Sequence, residues 1–285
     1  MDAGEDPEDI LFDSLQTLYD HQPITLSSSG SLFTYKYSGS TESGPSSVIT
    51  LETPDTHAAN WALHASSIWS SSIYLSDHWN EIGLESHVNE LPTNETLRVL
   101  ELGACAGLPS ILIAKLFPEK VLVTASDYPD EELIKTLARN IERNGVNSRC
   151  RAVPYAWGSD VSSLHPKDDC GFDVILAADT LWNPDLHSIF IDTLKMALKK
   201  SLSSRIHLVA GLHTGRYTIQ SFLTSAQNAG FVIESVVENE VSGSATRRWR
   251  ITGDDDEKER RRWVVWAKLK LGTEIAVDLT NKSYI

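Results

Sequence analysis

Apolar positions fall in two textures along the chain, changing near Pro92. Before it, residues 32–37 and 48–53 are β-rich runs around a Ser/Gly/Pro stretch at 38–47, the pattern of a hairpin with a long, mobile tip. Trp61, Ala65, Ile68, Ser72, Leu75 and Trp79 then recur at helical spacing and predict one long helix over 57–79. After Pro92, strands at 97–102, 121–126, 149–154, 173–178 and 205–210 alternate with helices at 108–117, 130–143, 185–200 and 217–229. Such alternation implies a mostly parallel sheet with right-handed crossovers and helices on both faces. Residues 231–238 and 263–271 are the last strands, with no helical pattern between them, and should pair antiparallel. The expected fold is α/β, a Rossmann-like seven-stranded mixed sheet with an N-terminal β-hairpin and helix extension. The chain divides into an arm and hairpin at 1–56, a domain at 57–271 and a tail at 272–285.

Ile10, Leu11, Leu15 and Leu18 give the acidic start a short amphipathic stretch, a capping helix or arm. The balance of 25 Lys+Arg against 39 Asp+Glu leaves a formal charge of -14. That disfavours nucleic acid as a partner, because phosphate binding needs a net basic surface, and favours a basic polypeptide. No apolar run reaches the ~18 to 20 residues of a membrane span, and the start lacks the features of a signal peptide, so no membrane association and a cytoplasmic address are expected. Cys105, Cys150 and Cys170 leave one thiol unpaired under any disulfide scheme and are expected to be reduced. In 241–262, Arg247, Arg248 and Arg250 precede Asp254, Asp255, Asp256 and Glu257, followed by Arg260 to Arg262. Blocks of opposite sign this close pair with one another, as an exposed loop or a substrate-facing flap.

The chemistry concentrates at strand ends. Leu100-Glu101-Leu102-Gly103-Ala104-Cys105-Ala106-Gly107-Leu108-Pro109 takes a strand through small residues into a helix, letting backbone approach a ligand closely. A dinucleotide fingerprint would need glycine where Cys105 and Leu108 stand, so that pattern fails twice. A chance Gly-rich turn and a cofactor turn both remain open on this segment alone. Ser126-Asp127-Tyr128-Pro129-Asp130 puts a carboxylate at the next strand end, about 20 residues on, where an acid can accept ribose hydroxyls. Asp130 reads as the cap of the following helix. Tyr155-Ala156-Trp157-Gly158 offers an indole surface for an adenine ring, or core packing. Ala177-Ala178-Asp179-Thr180-Leu181-Trp182-Asn183 again ends a strand in an acid followed by an aromatic. Such ends line the ligand crevice of open α/β sheets, so Asp127, Trp157 and Asp179 should converge. Asp179 also reads as a helix cap and Trp182 as packing. His57 and His64, seven apart on the expected helix, lack a third metal ligand.

These segments, in this order and with Ile68-Trp69-Ser70 ahead of them, resemble the seven-β-strand methyltransferase-like family that modifies lysines and N-termini of proteins. Within it the chain is most similar to the fungal branch once called nicotinamide N-methyltransferase-like, now regarded as acting on the N-terminus and a lysine of elongation factor 1-alpha. The similarity covers about 61–230. It implies the class I methyltransferase fold, S-adenosyl-L-methionine as cofactor and a protein substrate such as elongation factor 1-alpha; separately, a monomer is expected. By position, it implies cofactor contacts at Trp69, Glu101, Gly103, Ala104, Cys105, Asp127, Trp157 and Ala178, with Asp179 and Trp182 at the incoming amine. Relatives often carry Gly or Ala at Cys105, and the wider lysine-methylating family Tyr at Trp182. A small-molecule N-methyltransferase with a nicotinamide-like acceptor shares every cofactor motif. A non-catalytic binding module is the third reading, and a nicotinamide-dinucleotide-linked oxidoreductase the last.

Overall fold

The computed structural model describes residues 22–37, 47–165, 171–253 and 255–272. The amphipathic stretch at 10–18, the hairpin tip at 38–46, Cys170, Asp254 and the tail from 273 lie outside the described residues. Five parallel strands build the centre: β3 (Leu97–Leu102), β4 (Val121–Asp127), β5 (Cys150–Pro154), β6 (Val174–Ala178) and β7 (Arg205–Gly211). Numbering β8 (Phe231–Glu240), β9 (Thr246–Arg248) and β10 (Trp263–Leu271), the order is β5-β4-β3-β6-β7-β10-β8-β9, the last three joined antiparallel. The sheet thus has eight strands rather than the expected seven. The addition, β9, is three polar residues with no apolar alternation, and it exists because β8 offers a free edge.

Runs of apolar residues form the central strands because both faces are covered. Adjacent residues enter opposite cores: Val99 faces one and Leu100 the other, as do Val174 and Ile175. The first core is closed by α1 (Ser70–Asp77), α3 (Leu108–Leu116) and α4 (Glu131–Arg143), the second by α5 (His187–Ala197) and α6 (Arg216–Asn228). On α4, Leu133, Leu137 and Ile141 repeat on one buried face, and Asp130 caps its start by accepting from the N–H groups of Glu132 and Leu133, both at 3.0 Å. Each such apolar side chain contributes roughly 1.5–3 kcal/mol by burial. A short α2 (Leu84–Glu90) that the periodicity does not mark, and α7 (Glu257–Arg261), complete the α-helices among the described residues. Among the described residues no helix is long and apolar enough to cross a membrane.

The hairpin of β1 (Leu32–Tyr37) and β2 (Ser47–Glu52) forms as expected and packs on α4. Glu52 pairs with Arg139 and Arg143 at 3.0 and 3.1 Å. The buried Asn140 amide donates to the carbonyls of Glu52 and Ala106 at 2.8 and 3.0 Å, joining hairpin to glycine turn.

The single helix expected over 57–79 is corrected. A 3-10 helix covers Ala58–Leu63, His64 turns left-handed at φ 54, residues 65–69 run outside any helix, and only then does α1 begin. Tertiary partners take the backbone groups that a helix would use. The Cys105 thiol donates to the carbonyls of Ala65 and Ser67 at 3.1 and 3.2 Å, the Ile68 N–H goes to Ser27 Oγ at 3.0 Å, and the Ser70 N–H to the Ile24 carbonyl at 2.9 Å. His57 and His64 therefore do not share a helix face.

Candidate active site

Strand order reverses between β3 and β6, since β3 continues outward through β4 while β6 continues through β7 and its antiparallel neighbours. Loops diverge at such a switch point and leave a crevice at the carboxyl ends of the strands. A cleft of about 210 Å³ opens there. Gly103, Cys105, Asp127, Trp157, Ala178, Asp179, Trp182 and Trp69 all lie on its wall, so the structure brings together eight of the ten residues singled out from sequence. Glu101 and Ala104 lie instead beside a smaller cavity beneath the turn.

The turn is held by its own carboxylates. Gly103 and Ala104 donate their N–H groups to the Ser126 carbonyl at 2.9 and 3.0 Å. Asp127 Oδ2 takes the Cys105 N–H at 2.7 Å, and Oδ1 the Tyr128 N–H at 2.7 Å. Cys105 is thereby held left-handed at φ 50, and burial pushes its thiol pKa up, so it acts as a hydrogen-bonding tether rather than a nucleophile. Glu101 is buried and accepts from the Ser110 N–H at 3.0 Å and from the Ser110 hydroxyl, at the first turn of α3. Burial raises its pKa to about 8. Its carboxyl is thus engaged beneath the turn.

Gly103 is a position where a side chain would be strained and crowded. It sits at φ 72, and a Cβ there would lie 2.9 Å from Thr180 Cγ2 and 3.9 Å from the Trp157 ring. The space in front of it stays open for a ligand. Trp157 leans on Phe190 with centroids 4.4 Å apart, which fixes the indole at the rim. Asp127 keeps a lone pair on each oxygen beyond the backbone bonds, and burial raises its pKa to about 6. A carboxylate, a fixed indole and a side-chain-free turn around one crevice fit a purine nucleoside.

Asp179 is the unusual residue. It is left-handed at φ 51, a conformation that strains most side chains but that Asp tolerates. Its Oδ1 accepts the Gly211 N–H at 2.6 Å, while Oδ2 is buried with no partner among the described residues. An orphan oxygen of this kind costs about 1–3 kcal/mol unless a ligand supplies the donor. Rings surround it: the Trp69 indole N–H donates to the His64 carbonyl at 2.9 Å, Trp69 stacks on His213 at 5.7 Å, and Trp182 meets the His64 ring edge-on at 5.0 Å. From sequence His64 reads only as a candidate metal ligand, and His213 stands in none of the motifs. The latter follows β7 by two residues, so the strand-end rule that found Asp179 extends to it.

A carboxylate-lined crevice with aromatic rings on its wall, on a doubly wound sheet, fits a group-transfer enzyme. The particular group follows from comparison: a family model described as lysine methyltransferase matches residues 56–228, and the chain belongs to that family of methyltransferases. The protein N-terminal and lysine N-methyltransferase efm7 of Schizosaccharomyces pombe is 33% identical over 180 residues, covering 60% of this chain and 70% of that one. Its Neurospora crassa namesake is 29% identical over 196 residues, covering 62% and 64%, so the match spans slightly under two thirds of that relative's length. Among solved structures, an S-adenosylmethionine-dependent methyltransferase from Aquifex aeolicus aligns with TM-score 0.42 and 18% identity over 65% of this chain and 88% of its own.

Proposed function

We propose that the protein is an S-adenosyl-L-methionine-dependent protein N-methyltransferase that modifies the N-terminal α-amine, an adjacent lysine, or both, of elongation factor 1-alpha. The observation that carries this reading is the Oδ2 of Asp179, buried and without a partner among the described residues, on a residue that lines a ring-walled cleft. The names of the fungal relatives support a protein amine as acceptor, and the formal charge of -14 suits a basic polypeptide.

Bound in the crevice, the cofactor supplies a methyl group already activated by its sulfonium. Asp127 would hold the ribose hydroxyls, the Trp157 face the adenine, and the open space at Gly103 the close approach of the ligand. Asp179 Oδ2 accepts a hydrogen bond from the incoming nitrogen and so orients its lone pair. An ordinary carboxylate is too weak a base to keep that proton, so its role is positioning the amine rather than general base. Trp69, Trp182 and His64 exclude water from the channel and leave their ring faces to a cationic head group. An α-amine with pKa about 7.7–8.0 is ~10% neutral at pH 7, whereas lysine at ~10.4 is below 0.1%. Lysine therefore requires roughly 3 kcal/mol more help from burial or a water path for the proton.

The test incubates the protein with methyl-labelled cofactor and elongation factor 1-alpha bearing a free or an acetylated N-terminus, with nicotinamide in parallel, and locates label by mass spectrometry. Label is expected on the protein at its first residues. Label in nicotinamide alone, or cofactor binding with no transfer to either acceptor, would overturn the reading.

A further inference from the structure

A second cavity, of about 500 Å³, lies on the antiparallel part of the sheet and shares no wall residue with the cleft. Its floor carries three polar side chains in one row: Ser235 on β8 is the register partner of Lys268 on β10, which is the partner of His207 on β7. Register partners on neighbouring strands project to the same face, so hydroxyl, ammonium and imidazole stand side by side. Tyr74 and His78 of α1, stacked at 4.0 Å, and Trp266, edge-on to Tyr74 at 6.2 Å, supply aromatic walls.

The donors in this row lack acceptors. His207 is 1% exposed, and its Nδ1 receives the Trp266 indole N–H at 3.2 Å. An indole nitrogen only donates, so Nδ1 is bare and the ring proton sits on Nε2. Burial, and then the nearby Lys268 charge, lower the pKa to about 3, so the ring is neutral with one N–H. That Nε2 is buried without a partner among the described residues. Lys268 likewise makes no hydrogen bond or ion pair among them, while Lys270, two residues on, holds Glu234 at 3.0 Å. An unpaired ammonium beside an orphan N–H is unusual in a chain with 39 acids against 25 bases. The one carboxylate on the wall, Glu81, acts on the Tyr74 hydroxyl instead.

We propose that this cavity binds a small organic carboxylate, its anion held by Lys268, Ser235 and the His207 Nε2–H, and its apolar body against Tyr74 and Trp266. Inorganic phosphate would satisfy the same donors but leave the ring walls unused. The site stands independently of the methyl-transfer reading, because neither its residues nor its test involves the cleft.

Benzoate and inorganic phosphate are the probes, titrated separately into the full-length protein and followed by saturation-transfer NMR and thermal unfolding. Benzoate is expected to bind saturably, to raise the melting temperature of the wild type by mass action, and to bind about tenfold or more weakly to Lys268→Met. Lys268→Met removes no hydrogen bond or ion pair among the described residues and keeps most of the side chain's apolar length, so its melting temperature without ligand should match the wild type. Ser235→Ala, at an exposed hydroxyl, should weaken binding by only about twofold to fivefold. Absence of saturable benzoate binding by the wild type, equal binding by Lys268→Met, or Lys268-dependent binding of phosphate without benzoate would each overturn the proposal.

Discussion

Carboxylates in two regions of this molecule meet opposite fates. At the antiparallel edge, Glu238 is fully buried and saturated: Arg216 reaches both its oxygens at 2.6 and 2.9 Å, and Arg247 adds a bond at 2.7 Å. Asp255 closes the network onto Arg216 Nε at 2.7 Å and Arg247 Nη2 at 3.0 Å, and Arg247 lies 3.8 Å from the Trp263 ring centroid. At the crevice, Asp179 keeps one buried oxygen that no donor among the described residues reaches. Both arrangements are costly to build, and the difference between them marks purpose. A saturated buried network specifies where a loop sits, whereas a buried oxygen left unsatisfied by the protein's own donors is available to something that arrives later.

The comparison breaks most severely at Arg216. Arg216→Met removes the more buried of the two cations that hold Glu238 and Asp255 and leaves Arg247 alone to satisfy both, and urea unfolding should show a loss of about 3–5 kcal/mol. A wild-type midpoint would mean that the network is ornamental. On the crevice side, Asp127→Ala and Trp157→Ala should each weaken cofactor binding by about 1–3 kcal/mol through lost hydrogen bonds or stacking. Calorimetric titration giving wild-type affinity in both would discredit the nucleoside assignment. Gly103→Ala combines a left-handed backbone with the 2.9 Å approach to Thr180, and should lose about 1–2 kcal/mol of stability, part of it regained in Gly103→Ala/Thr180→Ser. Equal melting temperatures for the single and double variants would remove the steric part of that argument.

The smallest effect is a pH dependence. Burial raises Asp127 to about 6 in the folded state, so folding strengthens its hold on the proton. Its stability contribution is therefore full below the ordinary carboxylate pKa and is lost as pH climbs to about 6. Ribose hydroxyls donate best to the ionised form, so cofactor affinity should move the opposite way and be about tenfold weaker at pH 5 than at pH 7. A flat affinity profile, or one unchanged in Asp127→Asn, would contradict this.

Legibility from sequence divides along the same line. The parallel strands are readable because each is an apolar run covered on both faces, and Asp127 and Asp179 because strand-end acids sit where crossovers open a crevice. The break after His64 is not readable, since its backbone partners, the Cys105 thiol and Ser27, lie about forty residues away in either direction. The alternating Arg and Asp blocks of 241–262 do announce mutual pairing, but not that Arg216, outside the block, would organise it. For the same reason β9 escapes notice: Thr246, Arg247 and Arg248 pair with the edge of β8, where Arg247 also bonds Glu238, and neither partner lies within the block. His213 and His64 belong to the channel through contacts with Trp69 and Trp182 that no local pattern encodes.

The most direct measurement uses Asp179→Asn, which keeps the left-handed backbone and the Gly211 hydrogen bond but removes the charge that orients the amine. Cofactor affinity and methyl transfer to protein are measured side by side on the same preparation. The account predicts near wild-type cofactor affinity and melting temperature with transfer reduced about a hundredfold or more. Unimpaired transfer, or a loss of cofactor binding equal to the loss of transfer, would contradict it.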